Sequence, residues 1–416
     1  MLAVRLLDFL AGLSGALDLM SPEVVGHHKR VAYAAVRLGQ RLDLPRRELT
    51  DLFMAGLLHD AGGFTLASRL AALQFEADGA RHAEIGYRLL RQNPLLGEVA
   101  LLVRHHHTAS ARFDLLDEDS RTLFLANILN LVDRLDVLYV RYRLSEPGEI
   151  MGRLRQRAPV QFLPQLLEAL ADLAGDRAFW LGMASGDPAA ILGAEPDLFD
   201  HKGLSRGQLS QAARSFSQII DFRSRFTATH SCGVAETAGL LGRMAGLAEA
   251  EVDILRLAGE LHDLGKLAVP GEILDKPGPL DAAEKAVMRR HPELTAAILG
   301  SVPGLELVCA WASQHHEQLS GAGYPWGMSA EALSQGSRIL AVADVFTAVR
   351  EDRPYRAGIS SADSVRLLRR LALEGHLDRD LVELLAGSQR AVNARRREVQ
   401  VRAEGDFREF YTGLPQ

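Results

Sequence analysis

Between residues 262 and 344 the chain carries His262-Asp263, His291, His315-His316 and Asp344, with His230 upstream. Imidazole and carboxylate form the N/O donor mix that iron, manganese and zinc accept. An adjacent His-Asp pair has a specific use: the aspartate can bridge two ions roughly 3.5–4 Å apart while the histidine binds one of them. Two such ions would lower the pKa of a water enough for it to attack phosphorus near neutral pH. The chemistry that these residue types suggest is two-metal phosphoester hydrolysis.

The same pattern occurs twice. His27 and His59 are 32 residues apart, as are His230 and His262; His82 and His106 are 24 apart, as are His291 and His315. Leu57-Leu58-His59-Asp60-Ala61-Gly62 parallels Glu260-Leu261-His262-Asp263-Leu264-Gly265, and Ile128 to Asp133 parallels Ile339 to Asp344. Of the 14 histidines, ten fall on matched positions: 27, 59, 82, 106 and 107, then 230, 262, 291, 315 and 316. A period near 200 residues is far above that of a solenoid and implies two copies of a whole domain.

The elements that must position these groups are helices. Apolar residues recur at three and four, as in Leu209, Ala212, Ala213, Phe216, Ile219 and Ile220, and alternating β-branched runs are absent. The expected fold class is all-α, two tandem helical bundles in which side chains from several helices converge on a metal site. His262-Asp263 would end a helix starting near Glu249, with Gly265 as its stop. Gly, Pro and Asp accumulate between Gly175 and Gly207, which sets expected domains at 1–200 and 207–390 and a charged tail at 391–416, read as a solvated terminal helix.

Composition sets the outer limits. With 47% hydrophobic and 24% charged residues the chain is of the soluble globular type. A net charge of −6 supplies no global basic field, so no nucleic-acid polymer is expected as partner. Two cysteines, Cys232 and Cys309, leave no disulfide framework and suit a reducing cytoplasm. The apolar segment Met1 to Met20 is interrupted by Arg5, Asp8 and Asp18 and is expected to be an amphipathic helix, not a membrane span.

His262-Asp263, Lys266, His291-Pro292-Glu293, His315-His316-Glu317, Gly323-Tyr324-Pro325, Asp344 and Arg353-Pro354-Tyr355-Arg356 occur in an order that resembles the HD-GYP family. That is the branch of HD-domain phosphohydrolases that hydrolyses cyclic di-GMP, and the resemblance covers about Arg223 to Leu384. It implies one metal held by His230, His262, Asp263 and Asp344, and a second held by Asp263, His291, His315 and His316. It further implies that Asp263 and Lys266 serve catalysis, and that Lys266, Tyr324, Arg353 and Arg356 contact substrate. A lysine acts on phosphate as a point charge, while arginines can fork onto phosphate or a guanine edge. For Arg353 and Arg356 a solvated face, and for Tyr324 a purely structural turn, are the competing readings.

Two positions depart from the family pattern. Phe226 stands where some members have a glutamate that helps bind a third metal, so two divalent ions are expected, iron or manganese first, with zinc, nickel or magnesium as alternatives. Ser320 stands where the family often has aspartate before its Gly-x-Gly-Tyr-Pro.

The first copy keeps a ligand set of Glu23, His27, His59, Asp60, His82, His106, His107 and Asp133, a candidate second metal site. It lacks substrate machinery, because Gly63 occupies the Lys266 position and no Gly-Tyr-Pro follows His107. His28 and His105 have no counterparts and are expected at the surface. Three roles stay open for this half: metal binding without the activity, a structural partner, or a second hydrolase.

For the whole chain the leading expectation is a cytoplasmic phosphodiesterase converting cyclic di-GMP to linear pGpG or GMP. A non-catalytic cyclic-dinucleotide receptor and an HD-type hydrolase of another nucleotide are the alternatives. A protein partner at the Gly-Tyr-Pro loop and a homodimer are further expectations.

Overall fold

Residues spaced at three and four do build helices. The computed structural model describes residues 4–18, 25–63, 80–141, 146–158, 160–185, 198–199, 203–224, 227–352 and 357–414. These are helices joined by turns, with two isolated β-bridges and no strand among the described residues. No helix among them is long and apolar enough to cross a membrane. They fall into two units, 5–203 and 204–412.

The first unit holds α1 (Leu6–Asp18), α2 (His27–Arg41), α3 (Arg46–Leu58), α4 (Ala80–Leu90), α5 (Gly97–His105), α6 (Ser120–Arg141), α7 (Pro147–Arg155), α8 (Pro164–Ala174) and α9 (Arg177–Ala184). Phe9, Leu10, Leu13 and Leu17 of α1 are buried, and the helix packs on α2 and α3 as its amphipathic pattern predicts. The second unit holds α10 (Arg206–Asp221), α11 (His230–Met244), α12 (Glu249–Leu261), α13 (Gly271–Leu274), α14 (Ala282–Met288), α15 (His291–Gly300), α16 (Glu306–Ser313), α17 (Gln335–Arg350), α18 (Ser361–Leu373) and α19 (Arg379–Tyr411). Ser205 and Gln208 form a capping box at the start of α10, and Asp281 with Glu284 does so for α14.

Two pairs of glycines set how closely the helices approach, and both pairs repeat between units. A Cβ on Gly259 would lie 2.6 Å from the Ala235 Cα, and one on Gly56 would lie 2.4 Å from the Ala32 Cα. These contacts let α12 cross α11, and α3 cross α2, at backbone distance. A Cβ on Gly265 would sit 2.0 Å from the His291 carbonyl oxygen, and Gly62 bears the same relation to His82. Helix α12 ends at Leu261, just ahead of Gly265 as the sequence suggested, but Gly265 does not end it through a left-handed cap. It lies in a 3-10 turn, Leu264–Ala268, and its missing side chain admits the start of α15. Thr295 stitches this contact, accepting from the Gly265 N–H at 2.9 Å and donating to the His262 carbonyl at 3.0 Å.

The charged segment 391–416, expected as a solvated terminal helix, is helical to Tyr411 as the end of the 33-residue helix α19, but one face of it is buried; residues 415–416 lie outside the described residues. Most of its charges occupy one side, while Val392, Ala403 and Phe410, with the single charged residue Arg396 among them, recur on the other and are buried. Phe407 and Phe410 meet Phe222 at ring-centroid distances of 5.3 and 5.1 Å, and the Tyr411 hydroxyl donates to the Phe222 carbonyl at 2.7 Å. Net charge hid an amphipathic period that only the packing against α11 makes evident.

Gly259→Ala forces a methyl into backbone and should lower stability by about 1–3 kcal/mol, as overpacking does. Gly387→Ala, exposed inside α19 with open space around it, should stabilise by roughly 0.5–1 kcal/mol through helix propensity. Chemical denaturation monitored by circular dichroism reads both, and opposite signs are expected.

Candidate metal centre

Five helical segments deliver the seven residues singled out in the second half. His230 opens α11, His262-Asp263 follows α12, His291 opens α15, His315-His316 follows α16 and Asp344 sits within α17. All are buried except His316, which is half-buried. Their donor atoms form overlapping groups within 4.8 Å: His230, His262 and Asp344; His262, Asp263 and His315; His291, His315 and His316.

Asp263 lies between the two ends of the cluster. Its Oδ2 is 3.4 Å from His262 Nε2 and 3.9 Å from His230 Nε2, while its Oδ1 is 3.4 Å from His291 Nε2 and 4.0 Å from His315 Nε2. Asp344 Oδ1 is 3.2 Å from His230 Nε2 and 3.9 Å from His262 Nε2. One carboxylate thus faces two sets of imidazoles with different oxygens.

The ring orientations are held from behind. His262 Nδ1 donates to the Gly259 carbonyl at 2.8 Å, His291 Nδ1 to Met288 at 2.8 Å and His315 Nδ1 to Ala312 at 2.6 Å. With the proton on Nδ1, each Nε2 presents a lone pair to the centre. Burial lowers these pKa values, to about 3 for His291 and about 4 for His316, so the rings are neutral. His291 Nε2 and His315 Nε2 then oppose lone pairs at 3.2 Å with no proton between them. His262 Nε2 and Asp263 Oδ1 are buried without a hydrogen-bond partner. Burial opposes ionisation of Asp263, but His262, Lys266 and His291 hold its carboxyl well below the usual range. A negative charge ringed by neutral acceptors is an arrangement that fits divalent cations.

Several neighbours carry roles that the sequence reading missed. Glu351 accepts from His230 Nδ1 at 2.9 Å and from Gln400 Nε2 at 2.5 Å. It follows Asp344 by seven residues, two helical turns on the same face, which is the signal that could have found it. Arg223 donates to the carbonyls of Lys266, Leu267 and Val269 and fixes the turn after the His-Asp pair. Glu317 is buried and accepts from the Trp326 and Met328 N–H groups at 2.7 and 2.9 Å, pinning the Gly-Tyr-Pro loop.

The expected substrate residues divide. Lys266 Nζ donates to Asp263 Oδ2 at 2.6 Å. Tyr324 lies over His316, ring centroids 4.8 Å apart, and Arg289 stacks on the Tyr324 ring at 4.5 Å. Ser320 is tied to the Gly375 carbonyl through its N–H at 2.8 Å. Arg353 and Arg356 lie outside the described residues, as do Phe226 and Glu23.

In the first unit, His27, His59, Asp60, His82, His106, His107 and Asp133 gather in the same way. Asp60 Oδ2 is 3.7 Å from His59 Nε2 and 3.9 Å from His27 Nε2, and its Oδ1 is 3.1 Å from His82 Nε2. His82 Nε2 also meets His107 Nε2 at 3.0 Å and His106 Nε2 at 3.3 Å, more acceptors than one N–H can satisfy. His59 Nδ1 donates to Gly56, and Asp136, itself bound by Arg30, takes the Glu351 role toward His27. Where the second unit has Lys266, this unit has Gly63. The cation comes from Arg134 instead, buried and donating to Asp133 Oδ2 at 2.5 Å through Nη2. His28 and His105, expected at the surface, are buried: His28 Nδ1 bonds Asp18 at 2.5 Å, and His105 lies 3.5 Å from Glu118. Each has a local carboxylate, which makes burial of an extra imidazole affordable.

Glu351→Gln removes the charge that orients His230 while keeping its shape. It should weaken metal affinity about 10- to 100-fold, read by competition with a chelator.

Comparison with known proteins places this architecture. Family models for the HD domain match residues 24–138 and 214–381. A protein of Vibrio cholerae named 3′3′-cGAMP-specific phosphodiesterase 1 is 30% identical over 90% of this chain and 89% of its own length. A cyclic di-GMP phosphodiesterase response regulator of Xanthomonas campestris is 39% identical over 36% of this chain and 39% of its own. The crystal structure of a cyclic GMP-AMP specific phosphodiesterase of Vibrio cholerae aligns with a TM-score of 0.62 and 24% identity, over 92% of this chain and 97% of that one, a likeness of fold. Nearly full-length similarity, joined to two HD regions in series, makes the chain a member of the HD-GYP family with tandem HD domains.

Proposed function

We propose that the chain is a metal-dependent phosphodiesterase that opens a cyclic dinucleotide. The single observation that carries the reading is the ring of imidazole lone pairs closed on Asp263, with Lys266 bonded to the same carboxylate. His230, His262, Asp263 and Asp344 would hold one ion and Asp263, His291, His315 and His316 another, with iron or manganese the best match to this donor set. Such a pair of ions supplies a water acidified for attack and neutralises charge on the phosphate oxygens.

The chain's own residues do the rest. Lys266, a compact cation beside Asp263, would hold a non-bridging phosphate oxygen. Tyr324, backed by Arg289 and by His316, offers a ring face on which a base can stack. Arg353 and Arg356 would take the second phosphate or a guanine edge. Glu351 and the carbonyls of Gly259, Met288 and Ala312 keep the imidazoles aimed inward throughout.

The relatives' names support two substrates. 3′3′-cGAMP is the first candidate, because proteins named for it match across both HD domains; cyclic di-GMP, suggested by the motifs, is named for relatives matching about a third of the chain. The substrates and the two unpaired cysteines suit a cytoplasmic protein. We further propose that the first unit keeps ion binding without turnover, since its ligand cluster is closed by Arg134 and has no lysine.

Metal analysis and chromatography of both substrates, on protein purified without oxygen, test these readings. His262→Ala/Asp263→Ala should abolish turnover and lower the metal content by two ions per chain. His59→Ala/Asp60→Ala should lower metal content similarly and leave turnover in place. Binding of cyclic dinucleotide without turnover under iron or manganese would support a receptor instead. Lys266→Ala should reduce kcat by about 10²–10³-fold, the cost of losing one preorganised charge on the reacting phosphate.

A further inference from the structure

Behind His230, on the side away from Asp263, the second unit has a cleft of about 580 Å³ lined by Arg350, Glu351, Arg396, Arg397, Gln400 and neighbours. Its notable feature is an excess of guanidinium groups without carboxylate partners. Arg396 is only 3% exposed, yet its Nη1 and Nη2 donate to the amides of Gln400 and Asn393, at 2.5 and 2.9 Å, and its buried Nε has no partner. Arg350 donates to the Ile359 carbonyl and to Asn393, and its Nε is likewise buried and unpartnered. Burial, reinforced by Arg350 and Arg397, pushes the Arg396 pKa down to about 10, against the pull of Glu351.

The carboxylates facing the cleft are committed elsewhere. Glu351 serves His230 and Gln400, Asp352 accepts from the Gly358 N–H at 2.9 Å, and Glu404 pairs with Arg408 at 2.6 Å. Arg397 is exposed at the rim of the cleft. A buried guanidinium satisfied only by neutral amides is costly, and an anion with several oxygens relieves it best, because guanidinium forks match phosphate geometry.

We infer that this cleft binds a phosphate group, free or carried by a small molecule, through Arg350, Arg396 and Arg397. The site lies outside the metal centre but is joined to it: Gln400 accepts from Arg396 and donates to Glu351, which holds His230. Three hydrogen bonds in series therefore join Arg396 to His230.

Calorimetric titration of the full-length, metal-loaded chain tests the site, with inorganic phosphate, GMP and guanosine as probes. Saturable binding of a phosphate-bearing probe, and none of guanosine, is expected in the wild type. It should persist in His262→Ala/Asp263→Ala, whose catalytic centre has lost its ligands, and weaken about tenfold on adding Arg397→Gln, which removes one charge-assisted contact. Because Arg397 is exposed, that variant keeps its fold where Arg396→Gln would not be certain to. Equal affinity for phosphate and GMP identifies a free-phosphate site, and preference for GMP a nucleotide site. Absence of saturable binding, its loss in His262→Ala/Asp263→Ala, or indifference to Arg397→Gln each overturns the proposal.

Discussion

A carboxylate buried among neutral imidazoles is the constraint on which the second unit is built. Asp263 is ionised in a place where burial alone would protonate it, and the nearby nitrogens offer lone pairs instead of protons. Such a centre is unfavourable by itself and demands positive charge. Lys266 supplies one unit of it, and divalent ions are the natural source of the remainder. The glycine contacts that bring α12 against α11 and the His-Asp turn against α15 exist to hold acceptors closer than they would choose to be.

What holds the acceptors in place differs in instructive ways between the copies. In both, a helix-end histidine donates to the carbonyl three residues back, so the helix itself sets the tautomer. In both, the first histidine needs a carboxylate behind it, but Glu351 comes from beyond the end of α17 and Asp136 from within α6. The same demand is met from a different chain position, because only the location of the oxygen matters. The cation differs more. Lys266 approaches the shared carboxylate of the second unit, whereas Arg134 approaches Asp133, at one end of its cluster. The lysine is a point charge on the shared carboxylate, whereas the buried arginine donates twice to one oxygen of Asp133 and is held in the interior.

The arginine cleft behind His230 extends this electrostatic logic to the C-terminal helix. Charges in 391–411 are neither a solvated tail nor decoration: Arg396 is buried and Gln400 touches both the cleft and Glu351. Composition made this segment look featureless, since a run such as Arg395-Arg396-Arg397-Glu398 gives no hint of which arginine turns inward.

The sequence by itself determined the helical class, the duplication and the seven inward-facing residues of the second half. Helical period is a local property, and histidine spacing survives copying, so both can be counted along the chain. It also placed the difference between copies, because Gly63 against Lys266 is a matter of residue type. Tertiary structure decided the rest: that Asp263 faces two imidazole sets with different oxygens, that Glu351, Arg223 and Glu317 hold the centre from outside, and that Gly265 makes a close backbone contact with His291. It likewise moved His28 and His105 indoors and buried one face of the C-terminal helix. Those outcomes depend on which backbone or carboxylate lies opposite a given atom, a distance across the fold that no spacing along the chain encodes.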